Sequence, residues 1–276
     1  MDVASGNAGQ LQAWDTGEGV FWAEEAVLFE ECLQRYDDAL LRAAGIRNGE
    51  QVLDLGCGTG SSTRAAGWLA GSGSALGVDL SAPMLKVATQ RARATGVRNA
   101  TFLQADAEVH AFEPAAYDVL ISRTGCTFFA NPVAAFTNLF RALRPGGRVA
   151  LLVWQAPATN PWFTELTTAL AVGRPLATPP PDAPSPFAFA DPARVTTILT
   201  TAGFAEPQYQ PLQEPMSWGP DLPTAERLAL GILDWLIDPT TKPQALSNLR
   251  QVLHSHRSDS GVTFPSTTWL ITTQKP

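Results

Sequence analysis

The chain is poor in the residues on which several protein classes depend. It has three cysteines, Cys32, Cys57 and Cys126. Their odd number and scattered positions imply no disulfide framework, and a reducing cytoplasm is the expected compartment. Histidine is as scarce, at His110, His254 and His256. No pair has metal-ligand spacing backed by Cys or carboxylates, so no metal site is expected. Lys and Arg number 19 against 26 Asp and Glu, a formal net charge of −7. That balance disfavours nucleic-acid backbones and anionic membranes as partners. The strongest apolar run, around residues 149–154, is far too short to cross a bilayer. Residues 1–10 lack the apolar core of a signal peptide. No internal repeat or block of like charge is present. What remains is 45% hydrophobic and 16% charged, which supports a sizeable core and argues against disorder. At 276 residues, one α/β domain is the default.

The most informative stretch is Gln51-Val52-Leu53-Asp54-Leu55-Gly56-Cys57-Gly58-Thr59-Gly60. An apolar strand runs into a loop with Gly at three alternate positions, and a segment able to form a helix follows. Ala75-Leu76-Gly77-Val78-Asp79 is a second apolar run ending in an acid. Strand, Gly loop, helix, strand and acid is the order by which a doubly wound α/β domain holds the ribose of a nucleoside cofactor. A dinucleotide fingerprint would place its third Gly at position 61, which is Ser61; here the third Gly is Gly60. Asp54, two residues before the loop, would repel a pyrophosphate but suits a ligand with ammonium and sulfonium centres. S-adenosylmethionine carries both. Asp79 fits as a bidentate acceptor for the ribose hydroxyls. Asp54 can equally brace the Gly loop through hydrogen bonds, and the two roles are compatible.

Here the chain resembles the class I S-adenosylmethionine-dependent methyltransferases, in the branch similar to the ubiquinone and menaquinone C-methyltransferases. The resemblance rests on Ala13-Trp14-Asp15, Phe21-Trp22, residues 52–60, Gly77-Val78-Asp79-Leu80-Ser81 with Met84, and Gln104-Ala105-Asp106-Ala107. It continues through residues 117–123, Phe128-Phe129-Ala130-Asn131-Pro132 and residues 141–148. It implies a Rossmann-like, doubly wound, mostly parallel seven-stranded sheet with an antiparallel last strand, N-terminal helices and an inserted lid. It also implies that Asp106 meets the adenine amino group and the Ala107 backbone a ring nitrogen.

The pattern predicts helices in a cap over residues 1–44 and a cofactor-binding core over 45–156. A Pro-rich loop over the site is expected at 157–190. The rest of the sheet falls in 191–276, with a helical lid at about 213–264. Strands are expected at 51–55, 74–78, 101–104, 117–121, 148–154, 207–212 and 267–273.

Methyl transfer from a sulfonium to a small-molecule acceptor is an in-line displacement. It needs a close nucleophile and exclusion of water, and a catalytic side chain only where a proton must leave. Expected cofactor residues are Trp22, Asp54, Gly56, Cys57, Gly58, Gly60, Asp79, Leu80, Met84, Asp106, Ala107, Ser122 and Arg123. Met84 is open to a second reading as ordinary core. Arg123 can bind the cofactor carboxylate or an acidic acceptor. His110 is the one candidate base, against a solvated loop position. Trp14, Phe21, Trp22, Phe128, Phe129, Trp154, Trp162 and Trp218 are divided between acceptor pocket and core. Thr124 and Thr127 stand where related chains carry larger apolar residues, which predicts a more polar or roomier pocket. The acceptor expected is a secondary metabolite, and the protein a monomer or homodimer. The alternative is an enzyme of the same fold that binds the cofactor but catalyses cyclisation or rearrangement.

Overall fold

The computed structural model describes every residue except 177–179 and 181–182. The N-terminal cap holds three helices, α1 (Ala8–Asp15), α2 (Gly17–Glu24) and α3 (Ala26–Ala44), after a 3-10 turn at Ser5–Asn7. In α3, Phe29, Cys32, Leu33, Tyr36 and Leu40 recur at helical spacing and are all buried, so this face packs on the sheet. Gly45 ends α3 in the left-handed region, at φ 55°, as the periodicity predicts.

Parallel strands follow in alternation with helices. They are β1 (Gln51–Leu55), α4 (Ser61–Ala70), β2 (Ser74–Asp79), α5 (Ala82–Ala94), β3 (Ala100–Gln104), β4 (Tyr117–Arg123), α6 (Pro132–Ala142) and β5 (Leu143–Trp154). Ser81 caps α5 through its hydroxyl, and Asn131 caps α6; both carry Pro in the first turn, where its missing N–H costs nothing. After β5 come α7 (Pro161–Ala171), α8 (Pro192–Thr201), β6 (Gln208–Ser217), α9 (Leu222–Leu233), α10 (Lys242–Ser255), a two-residue β7 (Arg257–Ser258) and β8 (Gly261–Gln274). The sheet order is β3-β2-β1-β4-β5-β8-β6, with β7 paired to β8 at the side. β8 runs antiparallel to both β5 and β6. This is the doubly wound, mostly parallel sheet with an antiparallel last strand. One core lies between the sheet and α3, α4, α7, α9 and α10. The other lies between the sheet and α6 and α8.

Three boundaries differ from expectation. Residues 157–190 are not one loop: α7 occupies Pro161–Ala171, with Trp162, Leu166 and Leu170 buried on one side. Its apolar period is helical and Pro161 sits at the first position, which masks a helix in a Pro-rich stretch. Pro179 and Pro181 lie outside the described residues. β5 begins at Leu143 rather than 148, because Leu143 already pairs with Tyr117 ahead of an irregularity in the ladder. β6 and β8 are longer than expected, paired from Gln208↔Thr272 to Ser217↔Thr263, so the insert shrinks from 213–264 to 218–260. Pro211 and Pro215 obscure this strand, but β6 is the sheet edge, where proline is tolerated.

Candidate cofactor site

The strand order reverses between β1 and β4, and the crevice outside their carboxyl ends is where such sheets hold ligands. Gly56 follows β1 at φ 62°. A Cβ there would lie 2.6 Å from the Cα of Gly125, in the turn that follows β4. The two backbones therefore touch at the reversal point, and neither position admits a side chain. Gly58 and Gly60 also have positive φ, 52° and 78°. A Cβ on Gly60 would collide with Phe102 and Ala88, so Gly60 serves packing of the loop onto α5 and β3. At Gly58 the nearest atom would be the Met84 sulfur at 3.6 Å. Gly125 was not singled out from sequence. A Gly closely following a strand end, as Gly56 follows β1, is the signal that marks it.

Asp79 closes β2. Its Oδ2 accepts the Gly58 amide at 2.8 Å and its Oδ1 the Ser81 amide at 2.9 Å. A carboxylate oxygen accepts about two hydrogen bonds, so each retains capacity for one hydroxyl. Burial raises its pKa, opposed by those backbone amides. The carboxylate is thus locked in orientation with an open acceptor on each oxygen, which fits a vicinal diol. Leu80 is half-buried beside it, and Met84 and Cys57 are buried. The Cys57 thiol is pushed well above its usual range, chiefly by burial, and is inert as a nucleophile.

Asp54 is fully buried beneath the loop. Its Oδ2 accepts the hydroxyls of Ser62 at 2.7 Å and Thr63 at 2.6 Å. Its Oδ1 has no partner among the described residues. Burial pushes its pKa to about 6, against the two hydroxyls and the Arg123 charge, which lower it. Bracing the start of α4 is therefore its visible task. Ser62 and Thr63 were missed from sequence; two hydroxyls opening the helix after a buried acid are the signal that was available.

Ser122 and Arg123 are less free than their strand-end position implies. The Ser122 hydroxyl donates to the Leu55 carbonyl at 2.7 Å and accepts the Cys126 amide at 3.1 Å. It stitches β4 to β1. Arg123 pairs with Asp37 of α3 at 2.7 Å and donates to Ser61 at 2.7 Å. The Thr124 and Thr127 hydroxyls donate to the carbonyls of Arg123 and Thr124, which leaves their oxygens as acceptors. Asp106 is 1% exposed and gripped by the N-terminal segment, with the Asn7 amide on both its oxygens. Ala107 is buried, and its carbonyl accepts from Asn138 at 2.9 Å.

Trp22 stacks on Phe29 at 3.5 Å, nearly coplanar, and meets Trp14 edge-on at 5.9 Å. Trp14 in turn meets Phe128 at 5.3 Å. Asp15 accepts the first amide of α5, from Ala82, at 2.8 Å and Gln104 at 3.0 Å, which seats the cap on the ends of β2 and β3. Phe21 fills the notch left by Gly231 of α9. Phe129 packs against Phe136 in the far core. Trp154, Trp162 and Trp218 form a buried aromatic cluster with centroids 5.1 and 6.0 Å apart. His110 lies edge-on to Phe112 at 4.6 Å, and Phe112 meets Tyr117, the first residue of β4. No group of three or more His, Cys, Asp or Glu able to hold a metal occurs among the described residues, and no described helix is long and apolar enough to cross a membrane.

Sheet order, Gly loop and carboxylate make up the arrangement with which a doubly wound α/β domain holds a nucleoside. Residues 52–147 match the family model described as a methyltransferase domain. The chain is similar in sequence, over part of its length, to the ubiquinone/menaquinone biosynthesis C-methyltransferases. One of these, from Pseudomonas aeruginosa, is 34% identical over 122 residues, covering 44% of this chain and 48% of that protein. The chain thus spans about half the length of the curated relatives it matches. Among solved structures, the YcgJ protein of Bacillus subtilis superposes with a TM-score of 0.62 at 19% identity, covering 88% of this chain and 98% of that one. Phosphoethanolamine N-methyltransferase 2 of Haemonchus contortus, complexed with S-adenosylhomocysteine, gives 0.59 at 20% identity, covering 99% and 61%. These two likenesses concern the fold.

Proposed function

We propose that the protein transfers a methyl group from S-adenosylmethionine to a small-molecule acceptor, an aromatic or polyketide-like metabolite. The observation that carries this is Asp79. Its carboxylate is fixed by Gly58 and Ser81, stands beside the Gly loop at the sheet's reversal point, and keeps one open acceptor per oxygen.

In this reading Asp79 holds the ribose, and the backbone at Gly56, Gly58 and Gly60 faces the methionine moiety. Leu80 and Met84 line the adenine, with Asp106 and the Ala107 amide at its edge. Trp22 offers a ring face to the cationic end. The unpartnered oxygen of Asp54 favours that charge, and Arg123 holds the mouth of the loop to α3. When bound, S-adenosylmethionine supplies a methyl group on a sulfonium, already activated for displacement. The chain's own part is to align the nucleophile and exclude water. The cap helices α1 and α2 and the insert α9–α10 supply the cover. No side chain is assigned as base, and His110 stays the one candidate. The aromatic wall of Trp14, Trp22 and Phe128 supports a flat acceptor. Relatives named as C-methyltransferases make carbon the first acceptor atom to test. The three free, buried cysteines support a reducing compartment such as the cytoplasm.

Incubation with methyl-labelled S-adenosylmethionine and a metabolite extract should yield a labelled product heavier by one methyl, with S-adenosylhomocysteine released. An acceptor that is converted without gaining mass would instead favour cyclisation or rearrangement.

A further inference from the structure

Asp106 is the residue that the proposed function sets against the adenine amino group, yet the N-terminal segment already saturates it. Its Oδ1 accepts Asn7 Nδ2 at 3.1 Å and the Glu108 amide at 3.0 Å. Its Oδ2 accepts Asn7 Nδ2 at 2.9 Å and the Ala4 amide at 2.9 Å. The Asn7 N–H₂ has two hydrogens to divide among both Asp106 oxygens and Glu108, and with the two backbone amides it engages all of the carboxylate's acceptor positions, about four, so an incoming amino group has to displace Asn7. Asn7 is itself 1% exposed. Its Nδ2 also reaches Glu108 Oε2 at 3.0 Å, and its Oδ1 accepts the Ala130 amide at 2.9 Å. The carboxamide thus presents an N–H₂ donor beside an acceptor oxygen. Adenine presents a like donor through its exocyclic amine, so Asn7 reproduces the Asp106 half of that edge while its oxygen lies on Ala130. Gly6 allows the fit, because a Cβ there would lie 2.7 Å from the Ala130 Cβ.

We propose that Asn7 is an intramolecular occupant of the adenine-edge subsite, and that the nucleoside binds by displacing residues 4–7 from Asp106. The segment is then an autoinhibitory strap: the apparent affinity is the intrinsic affinity reduced by the fraction of molecules with Asp106 released. This inference rests on the proposed function, since it takes Asp106 as an adenine contact. Glu108 sharpens the competition. Its carboxyl is pushed up by burial and by the Asp106 charge beside it, and Asn7 bridges the two acids.

The test is calorimetric binding of S-adenosylhomocysteine to the full chain and to Asn7→Ala and Asn7→Asp, with amide exchange of residues 4–7 in the unaltered protein. Asn7→Ala removes the bridge; Asn7→Asp sets a third carboxylate against two others and expels the strap. Both variants should bind at least fivefold more tightly, and saturating ligand should accelerate exchange at residues 4–7. Equal or weaker binding by the variants, or exchange slowed by ligand, overturns the strap while leaving the cofactor assignment standing. Absence of binding to all three chains overturns the cofactor assignment itself. The exchange measurement decides the matter even if a variant fails to fold.

Discussion

Asp54 and Asp79 lie at the ends of adjacent strands in one Gly-loop site but carry different burdens. Asp79 is satisfied by two amides and keeps room for a ligand. Asp54 is buried with one oxygen unpartnered, so its charged form is the costly one. Burial raises its pKa from 3.8 to about 6. The ionised carboxylate is therefore a liability to the empty fold that is absent below pH 3.8, grows as pH rises, and is complete above pH 6. Two units correspond to roughly 3 kcal/mol. Asn at this position cannot ionise. The stability of Asp54→Asn relative to the unaltered chain, read from urea unfolding, should improve by about 2–3 kcal/mol between pH 4 and pH 7. A difference that does not vary with pH contradicts this account of the residue. Asp79 was legible from sequence because the acid ending the second strand is set by local order. Asn7 was not, because it meets Asp106 across 99 positions and no short pattern records such a contact. The bonds of the Ser122 hydroxyl were not legible, because a strand-end position does not reveal that a hydroxyl has two backbone partners within reach.

Among the elements, the β6–β8 pair shows how a long strand hides in a sequence. Pro215 faces Pro265 across the ladder, so neither contributes an N–H there. The gap is bridged by Tyr36 of α3, whose hydroxyl accepts the Glu214 amide at 3.2 Å and sits 2.8 Å from the Ser266 hydroxyl. Ser266 in turn donates to the Glu214 carbonyl at 2.8 Å. Tyr36→Phe would leave these buried groups short of a partner, at a cost of about 1–3 kcal/mol. Urea unfolding should show that loss, with faster amide exchange at Glu214. Unchanged stability would mean that the strands close the gap without the phenol. Proline density led to the expectation of a short strand and a long insert; a side chain from another helix made the longer ladder possible. Proline density concealed α7, where only Pro161 is part of the helix, Pro157 precedes it and the other prolines of residues 157–190 follow it.

At the scale of the molecule, enclosure is what the chain adds to a common sheet. The cap and the insert meet where Phe21 lies against Gly231. Their ion pair, Glu25 with Arg227 at 2.7 Å, is exposed on the arginine side and contributes little, so the aromatic contact carries the seam. The alternation of strands and helices through residue 154 follows from apolar period and glycine punctuation, which is why the core of the fold could be read from sequence. How the cap seats on the ends of β2 and β3 depends on contacts between distant segments and could not. The account turns on a carboxylate that grips a sugar. The most direct measurement is the affinity of S-adenosylhomocysteine for Asp79→Ala, by calorimetry, beside that of the unaltered chain. Hydrogen bonds to a charged group contribute about 1.5–3 kcal/mol each, so affinity should fall at least tenfold. A folded variant that binds as tightly as the original would contradict the assignment of the site.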